Sequence, residues 1–310
     1  MKRFLLKLLI FAALLAAADA LAGVALKNLR DKGRKPTGEL SLSTEIAYKA
    51  DPEVVILGSS RGQNHYVPSI IGDSLGMKCF NAGEDGCGII LAYTRYRMLA
   101  SRLPLKLVVV DIEPNFFIYG DDLTADLAYI RPYYDDFPFI RGLFGEFIPN
   151  ENYKMLSQSY RYNSQLLHLI SETRYPQSEF DGFEPITLPA SPILHDLASR
   201  EEIPSGKVNP QKMELLRRMI EDCRAKGTQV VLAFSPHFGR TDSREFGPVK
   251  DMARRYGVPV LDHFADTTYV AHEEYFANPP HMRDYGARIY SSQIGSELKQ
   301  ILRAAPQTSR

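Results

Sequence analysis

Three apolar runs constrain this chain more than any other feature: Val54–Leu57, Leu105–Ile112 and Gln229–Phe234. None alternates apolar with polar residues along its length, so each reads as a strand buried on both faces, the pattern of a parallel sheet. Two shorter strands are expected at Lys78–Phe80 and Val258–Leu261. Helical segments fall between them, at Tyr66–Leu75, Ile89–Leu103, Val208–Lys226, Arg244–Tyr256 and Asp284–Arg303, with Gly227 and Gly257 closing two of them. Strands that alternate with helices predict βαβ units, and so an α/β fold of three layers, α/β/α, around a central parallel sheet. In such sheets reactive groups gather at the carboxyl ends of the strands. That rule points to Ser59-Ser60, Asn81 to Gly88, Asp111 to Asn115, Ser235 to His237, and Asp262-His263.

The alternation breaks between about 116 and 205. That stretch is aromatic and carries prolines, and it reads as a cap inserted into a domain spanning 51–310. Its aromatic rings suit either sugar stacking or a small core of its own. Ahead of the domain, 27–50 reads as a basic linker and short helix. Residues 1–26 form a signal anchor or signal peptide. A basic start, Met1-Lys2-Arg3, precedes an apolar run from Phe4 to Leu26 that is long enough to cross a bilayer. Retention makes it an anchor in the inner membrane, with the body facing the periplasm or exterior. Cleavage after Ala20-Leu21-Ala22 makes the body secreted or periplasmic. Asp19 favours cleavage, because a carboxylate is costly in hydrocarbon.

Lys plus Arg and Asp plus Glu each number 37, so no basic field invites nucleic acid. Cys79, Cys87 and Cys223 show no zinc spacing. Cys79 and Cys87 have a disulfide open to them, though buried free thiols are the plainer reading. His65, His237 and His263 lack regular metal-ligand spacing, and Gly83, Gly86 and Gly88 stand in the wrong order for a dinucleotide loop. No cofactor or metal is expected. Asp111 and Glu113 are spaced like a carboxylate pair, but more plainly serve the neighbouring loops.

Two places carry chemistry. Gly58-Ser59-Ser60-Arg61 follows a buried strand directly, and a Ser at such a turn is exposed, as a nucleophile needs to be. Near the C-terminus, Asn278-Pro279-Pro280-His281 puts a His in a proline-fixed loop just before a helix.

These residues resemble the SGNH (GDSL-type) hydrolase family over most of 52–303, apart from the insertion. Gly58-Ser59-Ser60 resembles the GDS turn, with Ser in place of the usual Asp, and the match implies Ser60 as nucleophile. Asn81-Ala82-Gly83-Glu84-Asp85-Gly86 resembles the second block and implies the Gly86 N–H as an oxyanion donor. Asp111-Ile112-Glu113-Pro114-Asn115 lacks the Gly and Asp of the third block, but implies the Asn115 side chain as a further donor. His281, with Gly286-Ala287, matches the last block and implies a general base. The family's Asp there is Asn278, so the third catalytic member is an amide unless Asp284 or Asp262 substitutes for it.

The resemblance implies a flavodoxin-like SGNH fold and an esterase or O-acyltransferase acting on an acyl ester. The Ser substitution and the N-terminal segment are similar to exported proteins of polysaccharide O-acylation. They imply a cell-envelope glycan substrate and a membrane acyltransferase partner. An inactive scaffold that binds a glycan or membrane partner is the alternative, on the strength of Asn278 and the altered third block. A third reading, an unrelated α/β protein, requires Ser60 and His281 to lie far apart.

Overall fold

The computed structural model describes residues 1–119, 122–176, 181–202 and 206–304. Parts of the expected cap, at 120–121, 177–180 and 203–205, lie outside them. The chain divides into two compact units, one of 1–45 with 127–179 and one of 46–126 with 180–310.

In the first unit, helix α1 (Lys2–Arg30) runs for 29 residues and is followed by the start of α2 (Glu39–Tyr48). Its small core is Leu40, Tyr162 and Leu169, joined by Leu26 and Leu29 from the end of α1. Arg30 is buried there. Its guanidinium lies 4.7 Å from the Tyr133 ring centroid and donates to the Pro132 carbonyl at 2.8 Å. Glu172 completes the start of α2 by accepting from the Ser41 N–H at 2.7 Å, one of the donors a helix cannot pair internally. Tyr133, Phe144 and Tyr162, from the aromatic stretch, are buried.

The second unit holds five parallel strands: β1 (Val54–Leu57), β2 (Cys79–Asn81), β3 (Leu107–Asp111), β4 (Gln229–Phe234) and β5 (Val260–Asp262). Their order across the sheet is β2-β1-β3-β4-β5, the doubly wound order of flavodoxin-like folds. Val54 and Ile56, Leu107 and Val109, and Val231 and Ala233 share one face. On it lie α4 (Pro68–Leu75) and the C-terminal helix Asp284–Ala304, through Ile71, Tyr290, Ile294 and Leu298. The alternate residues point to the other face, where α5 (Ile89–Ala100) and α6 (Pro210–Ala225) pack on β1 and β4 and on each other. The three layers expected from the alternation of elements are therefore present.

Two helical segments differ from expectation in an instructive way. Tyr66–Leu75 begins only at Pro68, because Val67 is extended ahead of the proline. A separate short helix, α3 (Ser60–His65), precedes it. Its sequence, SRGQNH, has no apolar period to announce it.

Candidate active site

β1 delivers the chain to Gly58. A Cβ there would lie 3.0 Å from the Asp111 carbonyl oxygen, so the ends of β1 and β3 approach tightly at this glycine. The two serines that follow have separate fates. The Ser59 hydroxyl donates to Glu113 and is used up. Ser60, the first residue of its helix, has its Oγ 2.8 Å from His281 Nε2. The two residues are 221 positions apart in the chain, so the reading that needed them distant fails.

His281 sits on a two-stranded antiparallel ribbon of β6 (Phe276–Asn278) and β7 (His281–Met282), turned by Pro279-Pro280. Asn278 Oδ1 accepts twice, from the His281 backbone N–H at 3.1 Å and from ring Nδ1 at 2.8 Å. The backbone donor fixes which way the amide faces, since the NH2 group cannot accept. With Oδ1 toward the ring, the imidazole carries its proton on Nδ1 and leaves Nε2 free to accept from Ser60. Asp284 is engaged by Arg288 at 2.9 Å and Asp262 by Lys250 at 2.7 Å, and among the described residues the group hydrogen-bonded to His281 Nδ1 is Asn278.

The ribbon is held from three sides. The Phe238 N–H donates to the Pro279 carbonyl (2.9 Å). The Met282 N–H donates to His65 Nε2 (2.9 Å), which requires a neutral His65. Burial holds that ring's pKa well below the ordinary value. The third support is an extended arm, 181–191. It pairs with Asn81 through Asp181 (2.8 Å), with Gln63 through Glu184 (3.2 Å), with Asp284 through Ile186 (2.9 Å) and with Ala277 through Ser191 (2.9 Å). One segment thus grips both the helix that begins at Ser60 and the histidine ribbon. It enters at Gly182, whose φ of 78° and contact with the Asn81 carbonyl leave no room for a Cβ. Sequence reasoning missed the arm, although Glu184-Pro185, Leu188-Pro189 and Ser191-Pro192 each force extended backbone.

Beneath the serines lies a buried charge cluster. Arg61 donates to the Ile112 carbonyl (2.9 Å) and stands 3.9 Å from Asp111 and 3.6 Å from Glu113. Asp111 accepts from the Tyr66 hydroxyl (2.7 Å) and the Ser235 N–H (3.0 Å), while burial pushes its pKa up to about 6. Arg61→Met will leave that carboxylate buried without a counter-charge. The loss of unfolding free energy in urea titration is expected to be about 3 to 5 kcal/mol. Asp111→Asn in the same background is expected to restore much of it.

Among the described residues, the Gly86 N–H and the Asn115 amide donate to no internal partner. Both residues are exposed, and Gly86 has φ 69°. Their loops are tied to the Gly58-Ser59-Ser60 turn: the Glu84 N–H donates to the Gly58 carbonyl (3.1 Å), and Glu113 takes the Ser59 hydroxyl. The three histidines weighed as metal ligands are engaged apart from one another. His65 braces the ribbon, His237 faces Glu201 (3.3 Å), and His263 lies between Asp266 (3.0 Å) and Glu297 (2.9 Å). Cys79, Cys87 and Cys223 are free thiols.

The sequence matches no family model and no curated protein. Among solved structures, a proposed acylhydrolase from Bacteroides fragilis aligns with 84% of this chain and 95% of its own, at 14% identity and a TM-score of 0.42. A gut microbial diltiazem-metabolizing enzyme aligns with 82% of this chain and 48% of its own, at 14% identity and a TM-score of 0.40. At such scores neither likeness bears on what this chain does, which rests on its own residues.

Proposed function

We propose that the protein is a serine-type acyl ester hydrolase or O-acyltransferase, with Ser60 as nucleophile, His281 as base and Asn278 as the group that orients the base. The observation that carries this is the chain of two 2.8 Å hydrogen bonds, Ser60 Oγ to His281 Nε2 and His281 Nδ1 to Asn278 Oδ1. Ser60 gives its proton to Nε2 as Oγ bonds to the ester carbonyl carbon. The Ser60 and Gly86 N–H groups and the Asn115 amide receive the oxyanion; one such donor is typically worth about 3 kcal/mol. Nε2–H then protonates the leaving alkoxide, giving a free alcohol and acyl-Ser60. A water or sugar hydroxyl attacks the acyl-enzyme and surrenders its proton to Nε2. The acid or new ester departs, and Ser60 is restored. An acyl ester of a cell-envelope polysaccharide is the substrate class we favour, with a membrane acyltransferase as partner.

Asn278 favours a second reading, an inactive scaffold that binds a glycan or membrane partner. Reaction with a fluorophosphonate separates the two. The hydrolase labels on the peptide containing Ser60, and His281→Ala suppresses the label. A folded protein that takes no label at Ser60 is the scaffold.

A further inference from the structure

The polar clasp at Asp19 bears on a different question, the fate of the N-terminal helix. Asp19 lies near the middle of α1 and is the group with most to lose in hydrocarbon. It is not left in hydrocarbon. The turn at 157–159 surrounds it: the Ser157 hydroxyl (2.7 Å), the Gln158 N–H (2.7 Å), the Ser159 N–H (3.1 Å) and the Ser159 hydroxyl all donate to its carboxylate. One turn later Gly23 is buried against Gln158, so closely that a Cβ would overlap the Gln158 side chain. Lys27 pairs with Asp136 (3.1 Å), and Arg30 is buried over Tyr133. The second half of α1 is therefore built into the first unit.

The opposite side of the helix is uncovered. Leu6, Ile10 and Leu14 are exposed, and exposure continues past the clasp to Leu21 (72%) and Val24 (61%). From Phe4 to Val24 an exposed apolar surface runs for roughly 31 Å, at about 1.5 Å per residue. The hydrocarbon core of a bilayer is about 30 Å thick. Lys7, near one end, has a stem long enough to reach the interface.

We infer that α1 is an uncleaved membrane anchor whose exposed face is covered by lipid acyl chains and whose other face is clasped at Asp19 by the 157–159 turn. Cleavage after Ala22 would strip Asp19 from four donors and cut the helix above Gly23, emptying a site the unit is folded around. Asp19 thus changes meaning, from a residue that argued for removal of the segment to the one that retains it. The inference is independent of the chemistry at Ser60.

The test uses the full chain, expressed with its own N-terminus and fractionated. Intact mass should show residues 1–22 retained, and the protein should stay with membranes through alkaline carbonate. A mature chain beginning at Gly23 would overturn the inference. So would retention of 1–22 with release by carbonate, which would mean that protein rather than lipid covers the helix. Limited trypsin digestion reads the clasp itself. Cleavage after Lys27 and Lys32 should be at least about tenfold faster in Asp19→Leu than in wild type. Equal rates would show that Asp19 does not hold the helix to the body.

Discussion

Ser60→Ala and His281→Ala will each lower hydrolysis of p-nitrophenyl acetate by at least about 10³-fold in kcat/KM, and the double variant will be no slower than either single one. The proton that Ser60 must lose has an acceptor within reach, His281 Nε2 at 2.8 Å. Either substitution breaks the same transfer, and residues that act as a unit are not additive. The residual rate belongs to the oxyanion donors and to substrate binding, which the substitutions leave in place. Neither change should unfold the protein. Ser60 is only partly buried, and the ribbon around His281 keeps its ties to Phe238, His65 and the 181–191 arm. A wild-type rate in either variant, with circular dichroism unchanged, would remove Ser60 and His281 from the mechanism.

The sheet was legible because its three main strands are short, largely apolar runs with Gly58, Pro114 and Pro236 close behind them, too short for a helix. Ser60 and His281 were legible for a related reason. A polar residue at the carboxyl end of a buried strand, and a His locked between proline and a helix start, have few structural reasons to be there. What stayed hidden was the support. Arg61 carried no signal beyond its place after Ser60, yet it is buried beside two carboxylates of β3 and its extension. His65 carried no local signal, because its partner is a backbone N–H 217 residues away. The 181–191 arm has no period, since it pairs residue by residue with several loops rather than with one strand. The partners of Asp19 were hidden because hydropathy treats a residue by type, whereas the turn that binds its carboxylate is brought to it only by the folded chain.

Asn278→Asp will make hydrolysis of p-nitrophenyl acetate faster at alkaline pH and slower in acid, with the two pH profiles crossing. In wild type, burial holds the His281 pKa below its ordinary value, helped by Arg61 and His237 and opposed by Glu113 and Asp85. The ring is thus neutral and ready to accept a proton through the neutral range. The acid limb of kcat/KM should inflect below about pH 6.5. The drawback lies in the transition state, where imidazolium forms and its 2.8 Å neighbour is an uncharged amide. A carboxylate at 278 would favour imidazolium and raise the inflection by about 1 to 3 pH units. Below that inflection the variant's base is already protonated and the rate falls under wild type. Above it the imidazolium-forming step is stabilised, and a gain of about 10- to 100-fold is expected. Where a serine enzyme's Asp is replaced by Asn the loss reaches about 10⁴, because the ring then adopts the wrong tautomer. Here the His281 backbone N–H already turns Oδ1 toward the ring, so the tautomer is right in wild type and only the charge is missing. Desolvation of the new carboxylate trims the gain further. A full pH profile of p-nitrophenyl acetate hydrolysis for both proteins checks this. An inflection that does not move would mean that His281 is not the titrating base. A shifted inflection with no gain above it would mean that imidazolium formation does not limit the reaction.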